Sequence, residues 1–376
     1  MLLGLFLHGA VSFMELQVPW ATRDRSTHVV ADAFISFVHT FRMPVFFLLA
    51  GFFSRLLYEK LGPAGFARHR VKRILVPFVV TLVPLMPSLY LLWRWGNSRM
   101  GPRTLPNLGM ELPSLEPDRL PVSPGHLWFL YYLMMIVALM MIVVPLARRL
   151  PLDGSRRRVD AVLRILVRSR LVLFVMALPT ALTLIPMVTP TADTPVDFIP
   201  QLRILAYYAV FSGFGWLLHR QADLVVEIGR KLWVPVVVAL AVLAPLGILG
   251  DRLIRGGAPW SLGERVAALY LGALFSWSLV LLFIGAFVRW GDQPRAWVAY
   301  LSDASYWCYL VHLPIVVALQ ILVAELPWPG ALKYGMVMTV TIAACLGSYQ
   351  ALVRYTFIGR TLNGPREKAA PAPVTP

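Results

Sequence analysis

Between Arg265 and Arg289 the chain reads Val266-Ala-Ala-Leu-Tyr-Leu-Gly-Ala-Leu-Phe-Ser-Trp-Ser-Leu-Val-Leu-Leu-Phe-Ile-Gly-Ala-Phe-Val288, an apolar run without one formal charge. A helix of about 20 such residues crosses the roughly 30 Å hydrocarbon core of a bilayer. The run is continuous rather than alternating, so it reads as helix and not as a barrel strand. Comparable runs recur at roughly 1–16, 31–54, 73–93, 126–147, 170–188, 202–219, 232–250, 265–289, 297–323 and 331–354. The expected fold is all-α, a polytopic integral membrane protein with about ten transmembrane helices.

Bulk composition agrees. Of 376 residues, 58% are hydrophobic and 14% charged, too few charges to coat a soluble protein of this size. The net charge of +16 would suggest nucleic acid in a soluble chain, but here Lys and Arg fall in short connections between apolar runs. That placement points to topology and lipid headgroups, and no nucleic-acid partner is expected. Alternate connections hold 23 and 11 of the basic residues, with Arg42 inside a span. The richer set is read as cytoplasmic, which puts both termini on the cytoplasmic side of the cell membrane. Arg94–Gly125 and Arg148–Arg168 read as the longest connections, and the polar, Pro/Ala-rich stretch 363–376 as a disordered cytoplasmic tail. The first apolar stretch, Met1–Phe13, is short for a crossing, has no basic leader, and predicts further residues upstream of Met1.

Ionisable groups inside a span are costly and mark function or a satisfied structural role. His8, His39, Arg42, His126 and His312 are of this kind. Each histidine alone reads as well as a helix–helix hydrogen bond; four together, in a chain so poor in charge, point to a shared polar cavity. His39 and Arg42 stand three apart and share a helix face. No Cys or His-x-x-x-His spacing supports a metal, and Cys308 and Cys345 read as small core residues. The aromatic groups Trp128-Phe129 with Tyr131-Tyr132, and Tyr306-Trp307 with Tyr309, fit packing or an interface belt. Ahead of the third span, Ala67-Arg68-His69-Arg70-Val71-Lys72-Arg73 is a surface that attracts phosphate or simply anchors the inner end of the helix.

His39-Thr-Phe-Arg-Met-Pro-Val-Phe-Phe-Leu-Leu-Ala-Gly-Phe-Phe53, His126-Leu-Trp-Phe-Leu130 and Ser305-Tyr-Trp-Cys-Tyr-Leu-Val-His312 together resemble membrane acyltransferase family 3, nearest its glucan-modifying branch. The resemblance runs from the first span through the tenth, making 1–362 one transmembrane domain. It implies ten helices and transfer of an acyl group from cytoplasmic acyl-CoA to a hydroxyl, commonly on a sugar, at the far face. The family pairs an arginine with a histidine eleven residues later in its first helix. His8 matches the histidine, and the arginine would precede Met1. The family's Arg-x-x-Arg pair matches Arg70 and Arg73.

The resemblance thus implies acyl-CoA as donor substrate with no bound cofactor, a carbohydrate acceptor, and surrounding membrane lipid. His8 would be the catalytic base, Arg42 would stabilise an oxyanion or orient a neighbour, and Arg70 and Arg73 would bind the donor. His39, His126, Tyr309 and His312 would line the acceptor side. Two other classes compete. A proton-coupled multi-helix transporter also uses mid-membrane His and Arg, although no paired broken helices occur in matching halves and few carboxylates lie within spans. A non-catalytic scaffold would leave His8 and Arg42 at lipid depth without a task.

Overall fold

The computed structural model describes residues 1–16, 18–100, 123–151, 153–187, 191–195, 197–254, 261–291, 293 and 295–364. Most of the sequence-read tail (365–376) and of the Arg94–Gly125 connection (101–122) lies outside the described residues. Within them all regular structure is helical: α1 (Leu2–Ala10), α2 (Val29–Arg70), α3 (Val76–Met100), α4 (Trp128–Arg149), α5 (Asp153–Ser169), α6 (Val172–Leu184) and α7 (Leu202–His219). There follow α8 (Asp223–Arg230), α9 (Trp233–Ile254), α10 (Leu262–Trp290), α11 (Ala296–Val323), α12 (Gly330–Ser348) and α13 (Phe357–Leu362).

Among the described residues six apolar segments are long enough to cross a membrane: Val29–Arg99, Gly125–Arg149, Trp233–Gly250, Leu262–Trp290, Ala296–Val323 and Gly330–Val353. Two shorter apolar helices, Leu2–Phe13 and Val172–Leu184, accompany them. The protein is a multi-pass helical membrane protein, because lipid offers the backbone no hydrogen bonds and each segment must satisfy its own.

Three local features depart from simple spans. First, α2 breaks at Gly62, where φ is +68°, a left-handed value that glycine adopts without strain; Pro63 then restarts the helix. Second, α2 passes into α3 through a π-turn, Val71–Leu75, and a second π-turn, Tyr349–Val353, extends α12. Third, Arg148–Arg168, read as a connection, contains the 17-residue helix α5. Its arginines alternate with an apolar row, a pattern that makes an interfacial helix and not a span. The Arg220–Lys231 connection likewise contains the short helix α8.

The chain forms two compact units. The first comprises Met1–Val38, Val71–Leu127 and Arg295–Pro376; the second comprises His39–Arg70 and Trp128–Pro294. In the first, α11 packs against α1, α3 and α12. In the second, α10 is the hub for α6, α8 and α9, while α7 lies against α4 and α6. A Ser261/Glu264 capping box starts α10, and its Trp277, wholly buried, donates from Nε1 to Thr180 Oγ1 at 2.9 Å.

The second unit is packed on aromatic rings. Phe47 stacks on Tyr208 at 4.2 Å between centroids, and Phe211 on Trp277 at 4.5 Å. Here α2 and α7 approach backbone to backbone. A Cβ at Gly51 would strike the Ser212 carbonyl, and one at Gly215 would strike that of Leu48. Small residues at such crossings are how helices associate in lipid, where the hydrophobic effect between helices is absent.

Candidate active site

Within the first unit, three of the sequence-flagged histidines meet. His8 comes from α1, His312 from α11, and His126 from the 3₁₀ turn Gly125–Leu127 that precedes α4. His8 Nδ1 lies 2.8 Å from His312 Nε2, and the two rings stack 5.1 Å apart with 10° between planes. The His126 ring stands edge-on to both, 6.3 Å from His8 and 4.9 Å from His312.

The network assigns the protons. His312 Nδ1 lies 3.0 Å from the Cys308 carbonyl and 2.9 Å from that of Tyr309, both of which can only accept. Nδ1 therefore carries the hydrogen, and in the neutral ring Nε2 holds the lone pair. His8 Nδ1 then donates to that lone pair, which puts the lone pair of His8 on Nε2. His126 Nε2 donates to the Tyr309 carbonyl at 2.8 Å, and the Tyr309 hydroxyl donates back to the His126 carbonyl at 2.7 Å. This clasp ties the turn before α4 to α11. Pro314, one turn beyond Leu310, lacks the N–H that would have served the Leu310 carbonyl and loosens α11 at the level of the cluster.

Two residues that the sequence reading did not select complete the arrangement. Trp20 stacks on His8 at 5.9 Å, and its Nε1 donates to Gln320 Oε1 at 2.8 Å. Gln320 Nε2 in turn donates to the His8 and Gly9 carbonyls, each at 2.9 Å. Gln320 thus holds both the backbone under His8 and the indole beside its ring. It is buried to 1% exposure, where an unmade amide bond would be expensive. The signal available in the sequence was a carboxamide inside the 297–323 span, but a search for ionisable groups passes over it.

The loop that carries Trp20 is pinned from several sides. Asp24 N donates to Ser12 O at 2.8 Å, His28 N to Phe13 O at 2.9 Å, and the Asp32 carboxylate accepts from Glu15 N at 2.9 Å. Lys333, wholly buried, reaches Asp24 Oδ1 at 2.7 Å. Lys333 is one of the 11 basic residues that the charge count assigns to the poorer set of connections; the structure makes it half of an interior ion pair.

Arg73 belongs to the same unit. It lies in the first π-turn, where the Tyr306 hydroxyl donates to its carbonyl at 2.8 Å. Tyr306 and His312 are six residues apart on α11, a rise of about 9 Å at the usual 1.5 Å per residue. Asn363 Nδ2 donates to the Asp303 carbonyl at 2.9 Å, fixing the end of α13 in this unit.

The other flagged residues lie in the second unit. His39 Nε2 is 2.9 Å from Thr194 Oγ1, and Arg42 follows one turn later on α2. Arg70 donates from Nη2 to Ser54 Oγ at 2.8 Å, with its guanidinium 5.0 Å from the Phe66 ring. Among the described residues no carboxylate pairs with Arg70. Among the described residues no group of three His, Cys, Asp or Glu side chains could hold a metal ion. His8 and His312 turn their nitrogens toward each other and not toward a common point.

A family model described as an acyltransferase domain matches residues 1–350. The glucans biosynthesis protein C of Salmonella paratyphi B is 27% identical over 329 residues, covering 84% of this chain and 79% of that protein. The protein of the same name from Escherichia coli strain SMS-3-5 is 24% identical over 386 residues, covering 99% of this chain and 95% of its own. No solved structure matches.

Proposed function

From the premise that this chain belongs to the acyltransferase 3 family and is a membrane acyltransferase, we propose that it moves an acyl group from cytoplasmic acyl-CoA to a hydroxyl of a glucan at the opposite membrane face. The two relatives are named for glucan biosynthesis, which supports a glucan acceptor. The charge bias of the connections supports a donor that enters from the side bearing Arg70 and Arg73.

His8 is the proposed general base. The observation that carries this role is the chain of hydrogen bonds from the Cys308 and Tyr309 carbonyls through His312 to His8 Nδ1, which leaves the lone pair on His8 Nε2. The acceptor hydroxyl gives its proton to Nε2, and its oxygen forms a C–O bond to the thioester carbonyl. The tetrahedral intermediate then breaks its C–S bond, and the departing thiolate takes the proton from the imidazolium. A positioned base of this kind is worth about 10²–10⁴ in rate.

Arg70 and Arg73 are proposed to hold the coenzyme A phosphates, a task suited to planar guanidinium forks. Arg42 is the proposed oxyanion partner, and this role rests on its type and its register with His39 alone. His126, Tyr309 and His312 shape the acceptor side, with His39 assigned there on sequence grounds.

The test uses membranes carrying the full chain, radiolabelled acetyl- and succinyl-CoA, and an added linear glucan. Wild-type membranes should label the glucan, and His8→Ala at equal abundance should not. Substituting Arg70 and Arg73 with alanine should raise the KM for donor more than it lowers kcat. Undiminished labelling by His8→Ala removes the mechanism.

A further inference from the structure

The second unit contains a cleft of about 500 Å³ between α4 and α7 that the acyl-transfer reading does not use. Its wall is apolar, formed by Ile136, Leu139, Met140 and Val143 on α4 and by Ala209 and Trp216 on α7. Four arginines stand at one end of it: Arg55, Arg148, Arg156 and Arg220. Leu139 and Val143 both line the cleft and remain exposed, 42% and 49%, as side chains facing lipid do in a multi-pass membrane protein.

The arginines differ in how their charge is met. Arg55 pairs with Glu59 at 2.8 Å and Arg220 with Asp160 at 2.6 Å. Arg156 donates from Nη2 to the Ala147 carbonyl in the last turn of α4. Arg148 lies over the Tyr58 ring, 4.9 Å from its centroid, and pairs with no carboxylate among the described residues. With no carboxylate partner among the described residues, Arg148 keeps the rim positive. An aromatic face stabilises a guanidinium while leaving its N–H edge available to an anion.

The level of this rim in the bilayer follows from α5, which supplies Arg156. Val159, Val162 and Ile165 on α5 are exposed, Leu163 and Val167 are buried, and five arginines lie along the same helix. Such a helix lies in the headgroup plane. A negative group at the rim would thus sit at headgroup depth, with an apolar groove running from it toward the membrane interior.

We propose that this cleft is a binding site for an anionic phospholipid. The phosphate rests among Arg148, Arg156 and the outer edges of the two paired arginines, and one acyl chain lies along α4 and α7. The site is independent of the catalytic assignment, because it uses none of the residues placed in the transfer reaction. The arginine-rich face it occupies is the one the charge bias assigns to the cytoplasm.

The experiment is native mass spectrometry of the full chain in mild detergent, titrated with phosphatidylglycerol or with phosphatidylethanolamine of identical chains. The expected result is retention of phosphatidylglycerol in preference to phosphatidylethanolamine, and a drop of about five-fold in Arg148→Ala, the weight of one arginine at an anionic membrane surface. Arg148→Lys, which keeps the charge without the fork, should fall between. Equal retention of both lipids by the wild-type protein overturns the proposal whether or not any variant folds. Unchanged phosphatidylglycerol retention in a monodisperse Arg148→Ala protein also overturns it. So does displacement of the lipid by coenzyme A, since the rim would then serve the phosphates of the donor.

Discussion

The two units solve the same problem, packing helices in a solvent that does not push them together, by opposite means. The second unit relies on aromatic stacks and on the bare backbone crossing at Gly51 and Gly215, and the four arginines of its cleft stand together at one end. The first unit brings polar groups to its interior: three histidines, Gln320, and the Lys333–Asp24 pair. Rings and glycines give tight contact with few hydrogen-bonding obligations. Interior polar groups give fixed directions, at the risk that each lost partner strands another. A unit proposed to aim the His8 imidazole has reason to accept that risk.

The contrast is open to direct attack. The largest expected effect is chemical and confined to the first unit. His8→Ala should lower acyl transfer by about 10²–10⁴ while the protein accumulates normally. Lys333→Met leaves the buried Asp24 carboxylate without its cation and should cost about 3–5 kcal/mol in a detergent unfolding experiment. If the Lys333→Met and Asp24→Asn double variant does not recover part of that loss, the pair is not the interior strut described above.

A smaller cost is expected where the second unit is tightest. Gly215→Ala forces α2 and α7 apart and should destabilise the protein by about 1–3 kcal/mol in the same assay, with transfer per folded molecule little changed. Gln320→Leu sharpens the contrast from the other side. As a positioning residue it should lower kcat about ten-fold at nearly constant KM for donor, with a small shift in melting midpoint, because it orients His8 and Trp20 without touching substrate. A matching fall in stability and rate for Gln320→Leu would mean it serves packing alone.

What could be read without coordinates followed from the solvent. Lipid penalises charge so heavily that His8, His126 and His312 declared themselves by position, and the same penalty made the apolar runs legible as helices. Trp20 and Gln320 escaped notice because neither carries charge and their importance lies in contacts some three hundred residues apart along the chain. Lys333 was counted with the connections for a related reason: a cation at the very start of an apolar run looks exposed until the partner that neutralises it is seen. The helices α5 and α8 were hidden by a ruler that measures length of apolar run, since an interfacial helix shows itself in periodicity.

The π-turn at Val71–Leu75 has a consequence for how this protein can change. Such a turn holds one residue more than α geometry requires, and deleting a single residue from it would restore the ordinary winding. Every side chain from Val76 to Arg99 would then swing about 100° around the helix axis relative to the turn before it. The apolar row of α3 that packs around Ala21 and Leu313, including Leu89, Leu92 and Trp93, lies on that helix and would move with it as one. Length variation at that point is therefore not neutral slack: one codon there resets a whole wall of the unit that holds the histidines.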